Sequence, residues 1–523
     1  MRIWRTLPLV LILISAGSAR GQDALQNLEK RVVEFRLPNG MQFLLVREPG
    51  APVFSATISF RVGGVDEIPG ITGLAHFYEH LAFKGTQIIG TTNYAEEKAL
   101  LDAIDEVAVP LSLEMAKDED EQDKEKIVAL RKKLDKLQEQ ARNFVVKDEL
   151  WDTYLVNGGS GLNASTGKDL TQYYVSLPNN RLELWAWLES DRMMNPVLRE
   201  FYSERDVVAE EYRLRIDTSP FGTLYRDFMA TAFIAHPARY MTIGWMSDIQ
   251  TLTRPMAEDF YRTHYAPANA VIGIVGDIDI DKTKAIVTRY FGRIPARDLP
   301  PPIRTKEPEQ KGERRVKVLW DAQPDLLIGY HKVDPKDKEE PVFDVMHGVL
   351  SQGRTSRLYR TLVQEKQLAT NVATFSGPTY RYPNLFIVYA TPRHPHTAAE
   401  VEQAVYEVIQ TLVTTPPSGE ELEKVRNNLR AQLLQQMQEN MGFAQLLSEF
   451  HAMMGDWRYL LRNLEQIDKV APEDVKRVAQ ACFTEANRTV AAIVPIPAPP
   501  AEKAAPEAAA LTPAAGDSTG KEK

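Results

Sequence analysis

One cysteine, Cys482, stands in a chain of 523 residues. A single thiol cannot form an intrachain disulfide or build a cysteine-based metal site, and no cysteine lies near the N-terminus to carry a lipid. Any metal must therefore be held by His, Asp and Glu. Positive charge is also in short supply. The 62 Lys and Arg against 71 Asp and Glu leave a formal net charge of −9, which removes the electrostatic basis for binding nucleic acid or an anionic membrane surface. Histidine is scarce, nine in all. Beyond the N-terminal stretch no apolar run approaches the roughly 20 residues that a bilayer span needs, so no stable membrane span is expected.

With 44% hydrophobic and 25% charged residues the chain has a globular make-up, and its length favours more than one domain. Its first residues, MRIWRTLPLVLILISAGSARGQ, set Arg2 and Arg5 ahead of an apolar run from Leu7 to Ile14 and small residues from Ala16 to Ala19. This is the pattern of a secretory signal peptide, here residues 1–21. The mature chain is expected in an exported compartment, the periplasm in a Gram-negative bacterium and the exterior otherwise.

After the signal, RVVEFRLPNGMQFLLV carries two β-rich runs around Asn39-Gly40, a dipeptide suited to a tight hairpin. VFSATISFRVGG adds a third strand. Leu74, Phe77, Tyr78, Leu81 and Ala82 then recur at helical spacing. Late in each half the sequence repeats itself: Asp248 to Val275 and Gln466 to Ile493 align without a gap at an offset of 218 (466 − 248). Ile249 meets Ile467, Leu252 meets Val470, Tyr265 meets Phe483, and Asn269 meets Asn487. Both segments read as an amphipathic helix, a short turn and a buried strand. Two similar domains are expected, 22–298 and 316–494, joined by the proline-rich, charged linker Leu299 to Arg315. A densely charged helical insertion of about 101–155 interrupts the first, with Ile127, Leu130, Leu134, Leu137, Ala141 and Phe144 at steps of three and four. It packs on itself through Leu100, Leu101 and Ile104, or extends as a partner-binding arm. Residues 495–523 are Ala- and Pro-rich, a composition expected to be disordered.

Chemistry concentrates in GLAHFYEHLAFKGT, Gly73 to Thr86. On a helix His76 and His80 lie about 40° apart, so both imidazoles can reach one ion. Glu79 sits on the other flank of the same stripe, where it can reach a water on the metal without being a ligand. Zinc hydrolysis needs such an arrangement: three protein ligands, one position left for water, and a carboxylate to take the proton. By chance, nine histidines produce one H-x-x-E-H with a probability of roughly one in a hundred. For the third ligand, the helix-patterned stretch Phe201 to Arg215 offers Glu204 and Glu211, seven residues apart and on one face. Glu211 is the candidate ligand. Glu204, behind it, is placed to orient a histidine or a water. Glu210 points about 100° away.

GLAHFYEHLAFKGT, GGSGLNAST (Gly158 to Thr166) and ERDVVAEE (Glu204 to Glu211) together resemble the landmarks of the pitrilysin and insulinase family of metallopeptidases, M16, whose H-x-x-E-H inverts the thermolysin order. The likeness runs from about Val33 to Val494. It implies an α+β fold of two homologous α/β-roll domains, each a mainly antiparallel sheet with helices on one face. It implies one Zn2+ per chain held by His76, His80 and Glu211, with Glu79 as catalytic base and Glu204 as supporting carboxylate. Asn163 and Ala164 match the edge strand on which such enzymes bind a substrate peptide by strand addition. The family places its third ligand about 70 to 80 residues after the histidines, against 131 here (211 − 80), and the surplus falls in the charged insertion.

Setting Gly353 against Gly85 puts Asp344, His347 and Gly348 where the first domain has His76, Glu79 and His80, so the second domain is expected to bind no metal. In complete family members the second domain also carries an arginine and, seven residues on, a tyrosine that help stabilise the tetrahedral intermediate. The matching positions here are Val363 and Thr370. The resemblance therefore implies a peptidase subunit working with a homologous partner that supplies the arginine and tyrosine. A homodimer is the other arrangement, and a non-catalytic scaffold subunit of the same fold is the competing function.

Overall fold

The computed structural model describes residues 28–496. The signal peptide expected at 1–21, and all but two residues of the tail expected at 495–523, lie outside the described residues. The hairpin read around Asn39-Gly40 is β1 (Val32–Arg36) paired antiparallel with β2 (Gln42–Arg47), and Gly40 supplies the turn with a φ of +91°. With β3 (Val53–Phe60), β4 (Ser160–Thr166), β5 (Thr171–Pro178) and β6 (Ala270–Gly276) they form a six-stranded sheet in the order β1-β2-β6-β3-β5-β4. Only β2 and β6 run parallel. A second sheet has the order β7-β11-β8-β10-β9, from Arg314–Leu319 (β7), Leu326–His331 (β8), Ala369–Gly377 (β9), Leu385–Pro392 (β10) and Arg488–Val494 (β11). Here β7 and β11 are the parallel pair. With β1 set aside, the two sheets correspond strand for strand.

The repeat at an offset of 218 is carried by equivalent elements. Helices Arg254–His264 and Pro472–Cys482 each have 11 residues and lead into β6 and β11. The paired asparagines do the same work in both. Asn269 Nδ2 donates to His264 O (2.8 Å) and to Arg61 O (3.1 Å), just past the end of β3. Asn487 Nδ2 donates to Cys482 O (2.9 Å) and to His331 O (2.8 Å), at the end of β8. Each side chain thus ties a helix C-terminus to a strand end, donating to carbonyls at both.

The family resemblance implies helices on one face of each sheet; in the molecule both faces are covered, because the halves exchange a helix. Helix Pro220–Ala232, from the first half, packs on β7 and β11. Its Leu224, Phe228 and Met229 join Leu327, Ile387, Ala491 and Ile493 in one core. Reciprocally, Asn440–Met454 crosses β3 and β6 of the first sheet, where Phe443, Ala444 and Leu447 meet Leu44, Val46, Val271 and Val275. The approach is close: a Cβ on Gly273 would stand 2.4 Å from Ala444 O, and Ser59 Oγ donates to Ser448 Oγ at 2.9 Å. Strand β6 is accordingly buried along its whole length, and its continuous apolar run suits a strand covered on both sides.

The insertion is a helical hairpin. Helix Tyr94–Met115 packs on Lys124–Arg142, burying Leu101, Ile104, Val107 and Leu111 with Ile127, Leu134 and Ala141. Its ends are stitched together, Thr92 N to Phe144 O (2.8 Å) and Val146 N to Gly90 O (3.1 Å), so the chain leaves and re-enters at one point. A short helix, Glu149–Val156, then delivers it to β4. Across the linker, Glu307 accepts the N–H groups of Ile234, Ala235 and His236 at 2.9 to 3.0 Å, and Arg314 and Arg315 already belong to β7.

Candidate metal centre

The histidine motif lies on helix Leu74–Leu81. Leu74, Phe77, Tyr78 and Leu81 face the first core, and the stripe of His76, Glu79 and His80 is turned the other way. Gly73 enters the helix with a φ of +89° and has no side chain to cap it. Glu67 caps instead: its carboxylate accepts the N–H of Gly73 (2.8 Å) and of Ala75 (2.7 Å). A carboxylate there satisfies free N–H groups and meets the positive end of the helix dipole. Asp248 Oδ2 fixes the loop just before, accepting from the Gly70 and Thr72 N–H groups at 3.1 Å and from the Thr72 hydroxyl at 2.6 Å.

The second helix ends earlier than the pattern suggests. Its α-helical part is Phe201–Tyr212, followed by a π-turn at Arg213–Asp217. Phe201 packs on Phe77 with ring centroids 4.7 Å apart, which sets one helix against the other. Arg199, 1% exposed, locks the arrangement. Its guanidinium donates to the carbonyls of Lys84 (2.6 Å), Thr86 (2.7 Å) and Ile89 (3.0 Å) in the loop after the histidine helix, and pairs with Glu97 (2.8 Å). Gly85 and Gly90 are required beside it, because both have positive φ and a Cβ at either would stand within 2.9 Å of that guanidinium.

The packing brings His76, His80 and Glu211 together: one ligand atom from each lies within 4.8 Å of the other two. Glu211 Oε2 is 3.8 Å from His76 Nε2 and 3.6 Å from His80 Nε2. Those separations exceed hydrogen-bond length. They approach the about 3.4 Å between ligand atoms of a tetrahedral site with bonds near 2.0–2.1 Å. Two imidazole nitrogens and a carboxylate oxygen converging without bonding one another are a donor set that fits zinc. Glu211 Oε1 is engaged by Arg215 at 2.6 Å, which turns Oε2 toward the rings. His76 Nδ1 is buried without a hydrogen-bond partner, and its ring stands edge-on to that of His80 at 4.8 Å. Burial, with His80 and Arg215 nearby, pushes His76 down to about 3.

Glu204 sits behind His80, accepting a hydrogen bond from Nδ1 at 2.9 Å. That contact fixes the ring's tautomer and leaves Nε2 as the lone-pair donor. Lys84 holds the other Glu204 oxygen at 2.7 Å. Burial raises the Glu204 carboxyl, but the hydrogen bonds from His80 and Lys84 outweigh it and bring it to about 2. Replacing Glu204 by Ala is expected to weaken metal affinity about 10- to 100-fold, which competition against a zinc-binding dye would read. Glu210 points away, exposed and paired with Arg213.

Among the described residues Glu79 has no ion-pair partner. Its Oε2 accepts a hydrogen bond from the Thr166 hydroxyl at 2.5 Å. Burial pushes its carboxyl up against the opposing pull of that bond and of His80. Thr166 closes β4, whose outer edge pairs with no other strand among the described residues, and the histidine helix packs on β4. Asn163 and Ala164 lie on that edge strand, with the Ala164 N–H donated to Asn163 Oδ1 at 2.9 Å.

In the second half, helix Glu340–Ser351 holds the corresponding positions. Asp344 accepts from Asn463, and His347 contacts Thr374 and Ser376 on β9, much as Glu79 meets Thr166 on β4. Among the described residues no second cluster of three metal-ligating groups occurs. Val363 lies in a π-turn packed on the second core, and Thr370 Oγ1 is given to Thr391 O. Four contributors went unread in the sequence: Thr166, Lys84, Arg199 and Glu67. Only Lys84 left a local signal, one turn after His80.

Comparisons with known proteins place the chain in company. Residues 42–107 match the family described as insulinase (peptidase family M16), and residues 251–429 match the peptidase M16 inactive domain. A zinc protease of Helicobacter pylori, PqqE, is 26% identical over 495 residues, covering 93% of this chain and 97% of that one. The crystal structure of a protease from Helicobacter pylori superposes with a TM-score of 0.74 at 25% identity, covering 89% of this chain and 99% of that chain. The periplasmic protease PqqL from Escherichia coli shares the fold at a TM-score of 0.66 and 16% identity, covering 89% of this chain and 47% of that one.

Proposed function

Because the chain belongs to the insulinase family of peptidases, M16, we propose that it is an exported zinc-dependent endopeptidase subunit acting on peptides or unfolded protein segments. The observation that carries this reading is the convergence of His76 Nε2, His80 Nε2 and Glu211 Oε2 beside Glu79, a carboxylate committed to no ion pair. Zinc held by those three residues would lower the pKa of a water and polarise the scissile carbonyl. Glu79 takes the proton from the attacking water and passes it to the leaving amine. Thr166 occupies only one oxygen of that carboxylate, so the other is free for the water. Glu204 and Lys84 keep His80 oriented, and Arg215 does the same for Glu211.

The substrate approaches along β4. An extended peptide adding to this unpaired edge satisfies backbone groups whatever its sequence, and a strand running past Asn163 and Ala164 reaches Thr166 and hence Glu79. At the two positions that match the family's arginine and tyrosine the second half offers no strong donor, since Val363 has no polar group and Thr370 is short and already engaged. A homologous partner supplying arginine and tyrosine would complete the electrophilic side of the reaction. Export is supported by the N-terminal pattern and by the periplasmic location of the related Escherichia coli protease. No helix among the described residues is long and apolar enough to cross a membrane.

Co-purification from the native source is the test. A second chain lacking H-x-x-E-H but carrying the arginine and tyrosine should accompany this one, and hydrolysis of an unfolded peptide should require both. Full activity of the zinc-loaded chain alone would overturn the partner requirement. An inactive pair would make the chain a scaffold.

A further inference from the structure

We propose that Arg381, from the second half, is a positioning residue that holds the catalytic base and the histidine helix in register. This inference rests on the peptidase reading above. Arg381 projects from the tip of the β9–β10 hairpin, and the tip is braced. Asn384 donates to Thr379 O at 2.6 Å and accepts from the Thr379 N–H at 3.2 Å, while Thr379 Oγ1 donates to Tyr382 O at 3.0 Å.

The tip docks on two loops of the first half. Asp169, fully buried, accepts the N–H of Tyr380 (2.8 Å) and of Arg381 (2.7 Å) through Oδ2. The Arg381 guanidinium reaches Asp66 Oδ2 at 3.3 Å and stands 3.8 Å from Asp169. These loops are already laced to each other, Val65 N to Lys168 O at 2.7 Å and Gly64 N to Gly167 O at 3.2 Å. The lacing is tight enough that a Cβ on Gly63 would stand 2.5 Å from Gly167 O.

Each loop leads directly to the site. Asp169 is three residues beyond Thr166, whose hydroxyl holds Glu79. Asp66 is followed by Glu67, which caps the histidine helix through Gly73 and Ala75. One cation thus spans two buried carboxylates, one on the loop that orients the base and one on the loop that sets the metal-binding helix. A buried anion is costly unless paired, and burial already pushes the Asp66 carboxyl up to about 6 with Arg381 beside it. Without the guanidinium, Asp66 and Asp169 would repel across the seam and draw the loops apart. The second half is then required for alignment, as well as for covering the sheet.

Arg381→Gln and Arg381→Lys in the full chain test the assignment, with kcat, KM, zinc content and amide hydrogen exchange as readouts. Arg381→Gln should keep its zinc and its KM within about twofold while kcat falls about 10- to 100-fold, the scale of a misplacement transmitted to the reacting groups. Exchange should accelerate in 63–75 and 160–170 but stay unchanged in the helix Arg254–His264. Arg381→Lys should recover part of kcat, because one ammonium restores the charge without the fork. Unchanged kcat and exchange in Arg381→Gln would overturn the proposal, as would exchange that rises equally throughout the chain. If the wild-type chain hydrolyses nothing even with its partner, the peptidase reading fails, and the exchange pattern still decides whether Arg381 links the loops.

Discussion

Glu79→Gln is expected to retain zinc and to lose about 100- to 10,000-fold in kcat, the range over which a positioned general base contributes. Glutamine has nearly the same shape and its amide oxygen still accepts the Thr166 hydrogen bond, so the histidine helix and its edge strand stay in place. What disappears is the capacity to accept a proton. The proposed metal ligands His76, His80 and Glu211 are untouched, which is why zinc content, measured by atomic absorption on the purified variant, separates this outcome from a collapsed site. A variant that keeps its zinc and its full rate would remove Glu79 from the role of base.

Glu211→Ala should abolish the response of the protein to zinc. For the wild type, zinc at a thousand times its dissociation constant adds about 4 kcal/mol to the stability of the folded state, seen as a raised unfolding midpoint that a chelator reverses. In the variant two imidazoles remain, Arg215 loses its carboxylate partner, and the midpoint should no longer move at the same zinc concentration. Hydrolysis should fall in parallel. A variant with an undiminished zinc-dependent shift would place the third ligand elsewhere.

These expectations draw on features that differ in how far the sequence exposes them. His76, Glu79 and His80 are within five residues of one another, and the pitch of a helix alone predicts that they share a stripe. Glu204 and Glu211 follow from the same pitch on a second helix. The repeat was equally legible, because an ungapped offset of 218 preserves helix, turn and strand together, down to Asn269 and Asn487. The hairpin insertion was foreshadowed by its heptad-like spacing, and its stitched ends at Thr92 and Val146 let the chain leave and return without displacing a candidate ligand.

What lay beyond reach has no period to read. Thr166 meets Glu79 across 87 positions and Arg199 meets Glu97 across 102. Such contacts depend on how strands and helices are arranged in space, and residue spacing carries no record of that arrangement. The helix exchange was hidden for the same reason. Pro220–Ala232 and Asn440–Met454 look like ordinary amphipathic helices in either half, and only the close approach at Gly273 commits the latter to the opposite sheet.

The sequence by itself determined where the proposed chemistry lies: His76, His80 and Glu211 as the groups that would hold zinc, Glu79 as the carboxylate that would take a proton, and Asp344, His347 and Gly348 at the matching positions of the second half. Helical periodicity encodes such neighbours locally. Only the tertiary structure decided that the second half is nonetheless bound into the site, through an exchanged helix over β3 and β6 and an arginine between Asp66 and Asp169. Burying those charges and covering both faces of a sheet are solutions that only the folded chain can reach.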